Sequence, residues 1–246
     1  MLRNEIGDIF IILTITTLLG GWIAADNAAD PVRQVVKQLR WFAQSAFRLE
    51  TAGKVIYFDP FRIDVKDEAD VVFITHSHQD HFSKADLRKV LTQETIIVAP
   101  ASCESELRGF DNEKLLLQPG DTATVAGFPV QAVPMYNRVK TKFHPKEKRW
   151  LGYVVTIDGV RLYHAGDTER IPEMQEFRCD IALLPLGQTY TMNSVEEAAQ
   201  AARDVRARIV VPMHYGFYEG KIEDIEILRE LLKEEIEVIR LKGNFE

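Results

Sequence analysis

Three of the chain's six histidines crowd into one short run, Thr75-His76-Ser77-His78-Gln79-Asp80-His81. A buried imidazole needs a hydrogen-bond partner or a metal, so such crowding is costly unless the side chains share a task. The run follows Val-Val-Phe-Ile-Thr at 71–75, an apolar, β-branched stretch that predicts a buried strand. A loop leaving such a strand lets ligand-type side chains converge beyond a sheet edge. Neutral imidazole and carboxylate are ligands for zinc, iron or manganese. A plain polar surface loop is the competing reading, and four ligand-type residues at His-x-His-x-Asp-His offsets speak against it.

The rest of the chain reads as many short strands with helices spread between them. Pro31 opens a short polar helix to about Gln38. The runs 42–49 and 54–58 predict a hairpin around Thr51-Ala52-Gly53. Ser83 caps a helix to about Leu91, with Asp86 three residues on. Strands are expected at 96–99, stopped by Pro100, and at 115–117, 122–125 and 130–133. Asp158-Gly159, between 152–157 and 160–163, is a two-residue hairpin signal. A strand at 181–184 ends at Pro185, and a capping box of Ser194 and Glu197 opens an Ala-rich helix. A strand at 209–211 stops at Pro212, an amphipathic helix covers about 222–235, and 237–241 is a last strand. Sheets with helices packed outside them, an α+β class, are the natural solution.

At 246 residues, 46% of them hydrophobic, the chain can build one full core. We expect that domain over residues 38–246, after an extension over 1–37. No residue from Ile9 to Ala25 is charged, and Ala24, Ala25, Ala28 and Ala29 follow the apolar run. This predicts an export signal or an N-terminal anchor, with membrane contact through that segment. The alternative is an upstream translation artefact on a cytoplasmic enzyme. A net charge of -7 makes nucleic acid a poor default partner. Cys103 and Cys179 form no Cys-x-x-Cys pair, which excludes a cysteine zinc knot.

Three more ligand-type residues follow or end β-like segments: His144 in Lys-Phe-His-Pro-Lys, Asp167 in His-Ala-Gly-Asp-Thr, and His214 in Pro-Met-His-Tyr. With the 76–81 loop, this pattern resembles the metallo-β-lactamase superfamily, from about Leu39 to the C-terminus. Asp59 in Tyr-Phe-Asp-Pro-Phe, the His-Ala-Gly-Asp-Thr segment and the Met-His-Tyr segment resemble two related groups within it. These are the ascorbate-phosphate-lactonase-like and the N-acyl-phosphatidylethanolamine phospholipase D-like proteins. The resemblance implies a four-layer αββα sandwich with the site at one edge of the two sheets. It implies two divalent metal ions: one on His76, His78 and His144, the other on Asp80, His81 and His214, with Asp167 bridging. Zinc is the expected metal; manganese and iron are the alternatives. The implied reaction is hydrolysis of an ester-type bond (lactone, phosphodiester or phospholipid-like ester) by a shared hydroxide, with Asp80 also orienting the nucleophile. Two cations a few ångströms apart bring a shared water's pKa toward neutrality. The rival functions are a non-catalytic metal-binding or sensing protein and an iron-dependent oxidoreductase.

Asp59 is expected either as a turn carboxylate or as an acceptor behind a ligand histidine, and His164 as a core histidine rather than a ligand. Arg138, Lys140, Lys142, Lys146, Lys148 and Arg149 surround His144. They are either a solvated loop or a grip on an anionic part of the substrate. Residues 189–193 follow a strand end and are candidates to line the pocket, with Tyr190 either an ordinary packed tyrosine or a hydrogen-bond donor to an oxyanion. A zinc β-lactamase would place another residue at Asp167. The chain has no room for a glyoxalase-type helical domain, a nuclease insertion or a flavin domain, and it carries no RNA-gripping arm.

Overall fold

Strands and helices condense into two sheets in the computed structural model, which describes residues 30–244. The apolar 9–25 segment lies outside the described residues. Among those described, no helix is long and apolar enough to cross a membrane.

The first sheet holds β1 (Leu39–Trp41), β2 (Phe47–Thr51), β3 (Lys54–Phe58), β4 (Ala69–Phe73), β5 (Leu91–Pro100) and β6 (Lys114–Leu117), in that order. The second runs β13 (Glu237–Val238), β12 (Ile209–Met213), β11 (Ile181–Pro185), β10 (Val160–His164), β9 (Trp150–Ile157), β8 (Phe128–Met135), β7 (Thr122–Val125). Each sheet begins with antiparallel neighbours and continues in parallel: β1 to β3 then β3 to β6, and β7 to β10 then β10 to β13. The helices are α1 (Pro31–Lys37), α2 (Lys84–Val90), α3 (Val195–Asp204) and α4 (Asp224–Leu232). Leu87 and Val90 of α2 pack with Val72, Ile74, Ile97 and Ala99 on the outer face of the first sheet. Ala198, Ala199, Ala201 and Ala202 of α3, with Ile225 and Leu228 of α4, pack against the second sheet. The result is the expected αββα sandwich. Val32, Val35 and Val36 of α1 are buried in the same core.

Between the sheets, Phe58 stacks on Phe73 at 5.0 Å and on His164 at 5.0 Å, and Phe73 meets Tyr153 at 5.0 Å. The Tyr153 hydroxyl donates to the Ile74 carbonyl at 2.7 Å, tying β9 to the end of β4. Each buried aromatic here contributes about 1.5–3 kcal/mol. The capping expectations hold: Ser83 accepts from the Asp86 N–H at 3.2 Å, and Ser194 accepts from the Glu197 N–H at 3.2 Å. The Asp158-Gly159 turn takes φ of 50° and 81°, the left-handed pair a two-residue hairpin requires.

Three expectations need correction, the first being the last strand, which covers Glu237–Val238 and not 237–241. The 42–49 run is not one strand, because residues 42–46 form the turn between β1 and β2. The Phe42 N–H donates to the Ala46 carbonyl at 2.9 Å, and Gln44 has φ of 49°. Pro212 does not end its strand: it pairs with Leu184 inside β12. Val210 turns its carbonyl toward β13, and Pro212, two residues on, faces the same side beyond the end of β13. Its missing N–H therefore costs no ladder bond.

Candidate metal centre

The parallel strands β4, β10 and β12 release their chains at one edge of the sandwich, where ligands gather at the carboxyl ends of strands. The loop after β4 carries His76, His78, Asp80 and His81. Asp167 follows β10, His214 follows β12, and His144 sits in the loop between β8 and β9. The structure brings all seven sequence-expected residues together. Their ligand atoms form three overlapping groups, each within 4.8 Å: His76/His78/His144, His76/His81/Asp167 and Asp80/His81/His214. His76 Nε2 lies 3.0 Å from His78 Nδ1. Asp167 Oδ2 lies 3.2 Å from His81 Nε2, 3.0 Å from His214 Nε2 and 3.6 Å from His144 Nε2. One carboxylate oxygen thus touches both ligand sets.

The site passes a test for cations. Both ring nitrogens of His144 are buried without a hydrogen-bond partner among the described residues. Each such orphan costs about 1–3 kcal/mol, which a metal–nitrogen bond would offset. The donor set of imidazoles and carboxylates suits zinc, manganese or iron. His78 and Asp80 are partly exposed and, with His144, Asp167 and His214, line a cavity of about 350 Å³ whose other walls are Phe143, Tyr190 and Tyr218.

The family model of the β-lactamase superfamily domain matches residues 38–214. This chain belongs to the metallo-β-lactamase superfamily. It is 33% identical to a UPF0173 metal-dependent hydrolase of Methanoculleus marisnigri, over 77% of this chain and 85% of that one. A crystal structure of a putative metal-dependent hydrolase from Parabacteroides distasonis superposes with a TM-score of 0.73. The two are 35% identical, over 83% of this chain and 92% of that one. Igni18, a metallo hydrolase from Ignicoccus hospitalis, superposes with a TM-score of 0.69 at 26% identity, over 84% and 94% of the two chains. The chain is thus a metal-dependent hydrolase on the metallo-β-lactamase fold, with His and Asp clusters able to hold metal.

In this superfamily member, buried carboxylates fasten the ligand loops from behind. Asp59, at φ of 43°, accepts from the Thr75 N–H at 2.7 Å and the Thr75 hydroxyl at 2.6 Å, and it holds His81 Nδ1 at 2.7 Å. That contact keeps the proton on Nδ1 and the lone pair on Nε2. Glu219 faces His214 in the same way, with Oε1 2.7 Å from Nδ1. It also accepts from the N–H groups of Thr189 at 2.7 Å and Tyr190 at 2.6 Å. Gly187 makes room for it: a Cβ there would lie 1.9 Å from Glu219 Cδ. Glu169 accepts from the N–H groups of Arg138, Val139 and Lys140 at 2.7, 2.7 and 2.9 Å, anchoring the loop that bears His144. His164 is a core histidine as expected: Nε2 lies 2.8 Å from the Ser45 carbonyl, and Nδ1 accepts from the Gly166 N–H at 3.3 Å.

Electrostatics divide the histidines. Burial pushes His76 and His78 down and His144 to about 4, with neighbouring histidines reinforcing the shift. Burial also opposes charge on His81, but Asp167, Asp80 and Asp59 outweigh it and raise His81 to about 10. His214 is raised too, by Asp167, Asp80 and Glu219 against burial. Burial would lift Asp80, yet His81 and His214 bring it to about 2. The carboxylates therefore collect positive charge, as protons on His81 and His214 when no cation is present.

Sequence reasoning missed Gln44, Ser45, Glu169 and Glu219. Ser45 donates to Asp167 Oδ1 at 3.3 Å. Glu219 had a signal in its place five residues after His214, flanked by Gly220. None of the basic residues around His144 lines the cavity. Lys140 donates to the Gln188 and Met192 carbonyls, Lys146 pairs with Glu173 at 2.9 Å, and Arg149 donates to Gln118. Lys142 lies over the Phe143 ring. Cys103 and Cys179 are both free and buried.

Proposed function

We propose that this hydrolase cleaves an ester-type bond, in a lactone, phosphodiester or phospholipid-like ester, with two divalent metal ions in the seven-residue cluster. The observation that carries the reading is Asp167 Oδ2, which lies within 3.6 Å of histidine nitrogens from both ligand sets. On this reading His76, His78 and His144 hold one ion and Asp80, His81 and His214 the other, with Asp167 shared; zinc is the first candidate. When bound, such ions supply Lewis acidity: they acidify water and polarise a carbonyl or phosphoryl oxygen.

The chain's own groups supply the rest. Asp80, partly exposed at the cavity and held ionised near neutral pH, accepts a hydrogen bond from the attacking water and orients it. Asp59 and Glu219 keep the ring nitrogens that face the site free of protons when cations are present. Phe143, Tyr190 and Tyr218 give the cavity an aromatic wall, and among the described residues no lysine or arginine lines it. That lining favours a substrate with an uncharged apolar group beside the scissile bond.

The test is metal analysis of the purified protein beside hydrolysis of a carboxylic ester, a lactone, a phosphodiester and a β-lactam. We expect close to two ions per chain and metal-dependent turnover of one class, lost in Asp80→Ala. Folded protein that stays metal-free after incubation with zinc, manganese and iron overturns the reading. Retained metal without turnover of any ester points to binding or sensing, and oxygen uptake with iron bound points to an oxidoreductase.

A further inference from the structure

Gln44 is fully buried at the tip of the turn between β1 and β2, yet its amide is poorly used by the protein. Its Oε1 has no hydrogen-bond partner among the described residues. Its Nε2 lies 2.8 Å from His214 Nε2 and 3.5 Å from Asp80 Oδ2. The backbone is held in place for this: φ is 49°, a left-handed conformation that costs a glutamine free energy. The Gln44 carbonyl accepts from Trp41 Nε1 at 2.9 Å and from the His214 N–H at 3.1 Å. The turn is therefore bolted to the residue whose ring the amide meets.

The contact with His214 has a chemical problem. With a cation bound, the 2.7 Å contact of Glu219 with Nδ1 keeps the single His214 proton there, so Nε2 presents a lone pair. An amide N–H against that lone pair occupies the direction a metal needs. Rotating the terminal amide by half a turn exchanges its nitrogen and oxygen at almost no steric cost, because the two are nearly the same size. The oxygen then stands beside His214 Nε2 and Asp80 Oδ2. Around the Asp80/His81/His214 group, neighbouring donor atoms are separated by 3.0 Å (His214–Asp167), 3.2 Å (His81–Asp167) and 3.7 Å (His81–Asp80 and His214–Asp80). The amide atom adds separations of 2.8 and 3.5 Å. Metal–ligand bonds of about 2.0–2.2 Å require neighbouring donors roughly 3 Å apart. The amide sits where a further vertex of that shell would be.

We propose that the Gln44 side-chain oxygen is an additional ligand of the metal position formed by Asp80, His81, His214 and Asp167. The inference rests on the metal reading of the cluster and extends it by one residue. Gln44 leaves the His76/His78/His144 group untouched, so its effect is confined to one of the two positions.

The experiment is zinc titration of metal-free, full-length wild type, Gln44→Gly, Gln44→Asn and Gln44→Glu by calorimetry, with cobalt(II) absorption spectra of the same proteins. Glycine suits the left-handed turn, so Q44G removes the side chain without straining the backbone. Asparagine keeps the amide but falls a methylene short. Wild type binds two ions. Q44G and Q44N weaken one of them by about tenfold or more while the other is unchanged. Their cobalt d–d bands intensify as the coordination number falls. Q44E, whose oxygens need no rotation, binds both ions at least as tightly as wild type. Circular dichroism and melting curves establish that each variant is folded. Two ions bound with wild-type affinity and spectra in folded Q44G overturn the inference and leave the metal reading standing. Wild type that takes one ion removes the position on which the inference stands; wild type that takes none overturns both.

Discussion

Glu219→Gln is the sharpest probe of how the protein prepares His214 for a cation. The glutamate faces four donors: two backbone N–H groups at Oε2, and the His214 ring and the Thr191 hydroxyl at Oε1. Glutamine offers one acceptor oxygen. Its NH2 group must face one of these pairs. The backbone pair cannot adapt, but the hydroxyl can rotate to accept and the imidazole can move its proton to Nε2. The side chain therefore settles with NH2 toward His214, and the ring nitrogen 3.0 Å from Asp167 gains a proton. A protonated nitrogen has no lone pair for a metal. Inverting one orienting contact of this kind costs about 10–100-fold in metal affinity, or about 1.4–2.7 kcal/mol. The lost charge-assisted bond costs the fold about 1.5–3 kcal/mol. At about 2–4 °C per kcal/mol that is a fall of about 3–12 °C in Tm. Calorimetric zinc titration and thermal melting of full-length E219Q read both. If E219Q binds both ions as wild type does, the carboxylate does not set the tautomer and the reasoning fails.

Metal-free protein should be most stable near pH 6.5. Below it, the depressed His76, His78 and His144 resist protons that the unfolded chain accepts, so stability falls with acid. Above it, His81 and His214 are raised, and the stability they contribute is lost as pH climbs toward about 10. Urea unfolding at a series of pH values in the presence of chelator checks both arms; a flat profile would count against the charge arrangement. Saturating zinc should release protons on binding and remove the alkaline arm, measurable as a dependence of binding enthalpy on buffer. Gly187→Ala drives a Cβ into the Glu219 carboxylate and should cost about 1–3 kcal/mol or more in urea unfolding, together with weaker metal binding. Wild-type behaviour of G187A would show that the carboxylate has room to move. Charge reversal in Lys142→Glu and Lys146→Glu should change the KM of the best ester by less than about twofold, since neither lysine lines the cavity. A large rise in KM would revive an anionic substrate.

The histidine loop was legible because it is local. Four ligands sit within six residues behind a strand whose β-branched run declares it, Asp167 and His214 follow strand ends, and His144 stands in the long loop between β8 and β9. The sandwich followed from short strands with capped helices between them. What escaped the sequence was contributed by single residues that only the topology brings together. Phe42, Ala43 and Ala46 are buried, and in sequence that burial looks like a strand. Here it comes from a turn packed beneath the core, and the left-handed backbone at Gln44 leaves no mark in the side-chain pattern. Glu169 and Glu219 look like ordinary surface carboxylates until the loops they fasten are in view. The basic run near His144 is close to the ligand in sequence, yet Lys140, Lys146 and Arg149 spend their hydrogen bonds on Gln188, Met192, Glu173 and Gln118, a placement that sequence proximity does not reveal.

The buried carboxylates also explain why the site is built as it is. Asp59, Asp167, Glu169 and Glu219 are all buried, and Asp80 is half-buried. Burying one uncompensated carboxylate costs several kcal/mol. Glu169 is compensated by three backbone N–H groups and by Lys140 at 4.0 Å. Asp59 and Glu219 also accept from the N–H and hydroxyl groups of Thr75 and of Thr189, Tyr190 and Thr191, and with Asp80 and Asp167 they share His81 and His214, which can carry at most two positive charges. Two divalent cations carry four and free the same histidines to act as ligands. On the proposed reading two divalent cations would match that buried negative charge, and the loops that carry it are fastened by Asp59, Glu169 and Glu219.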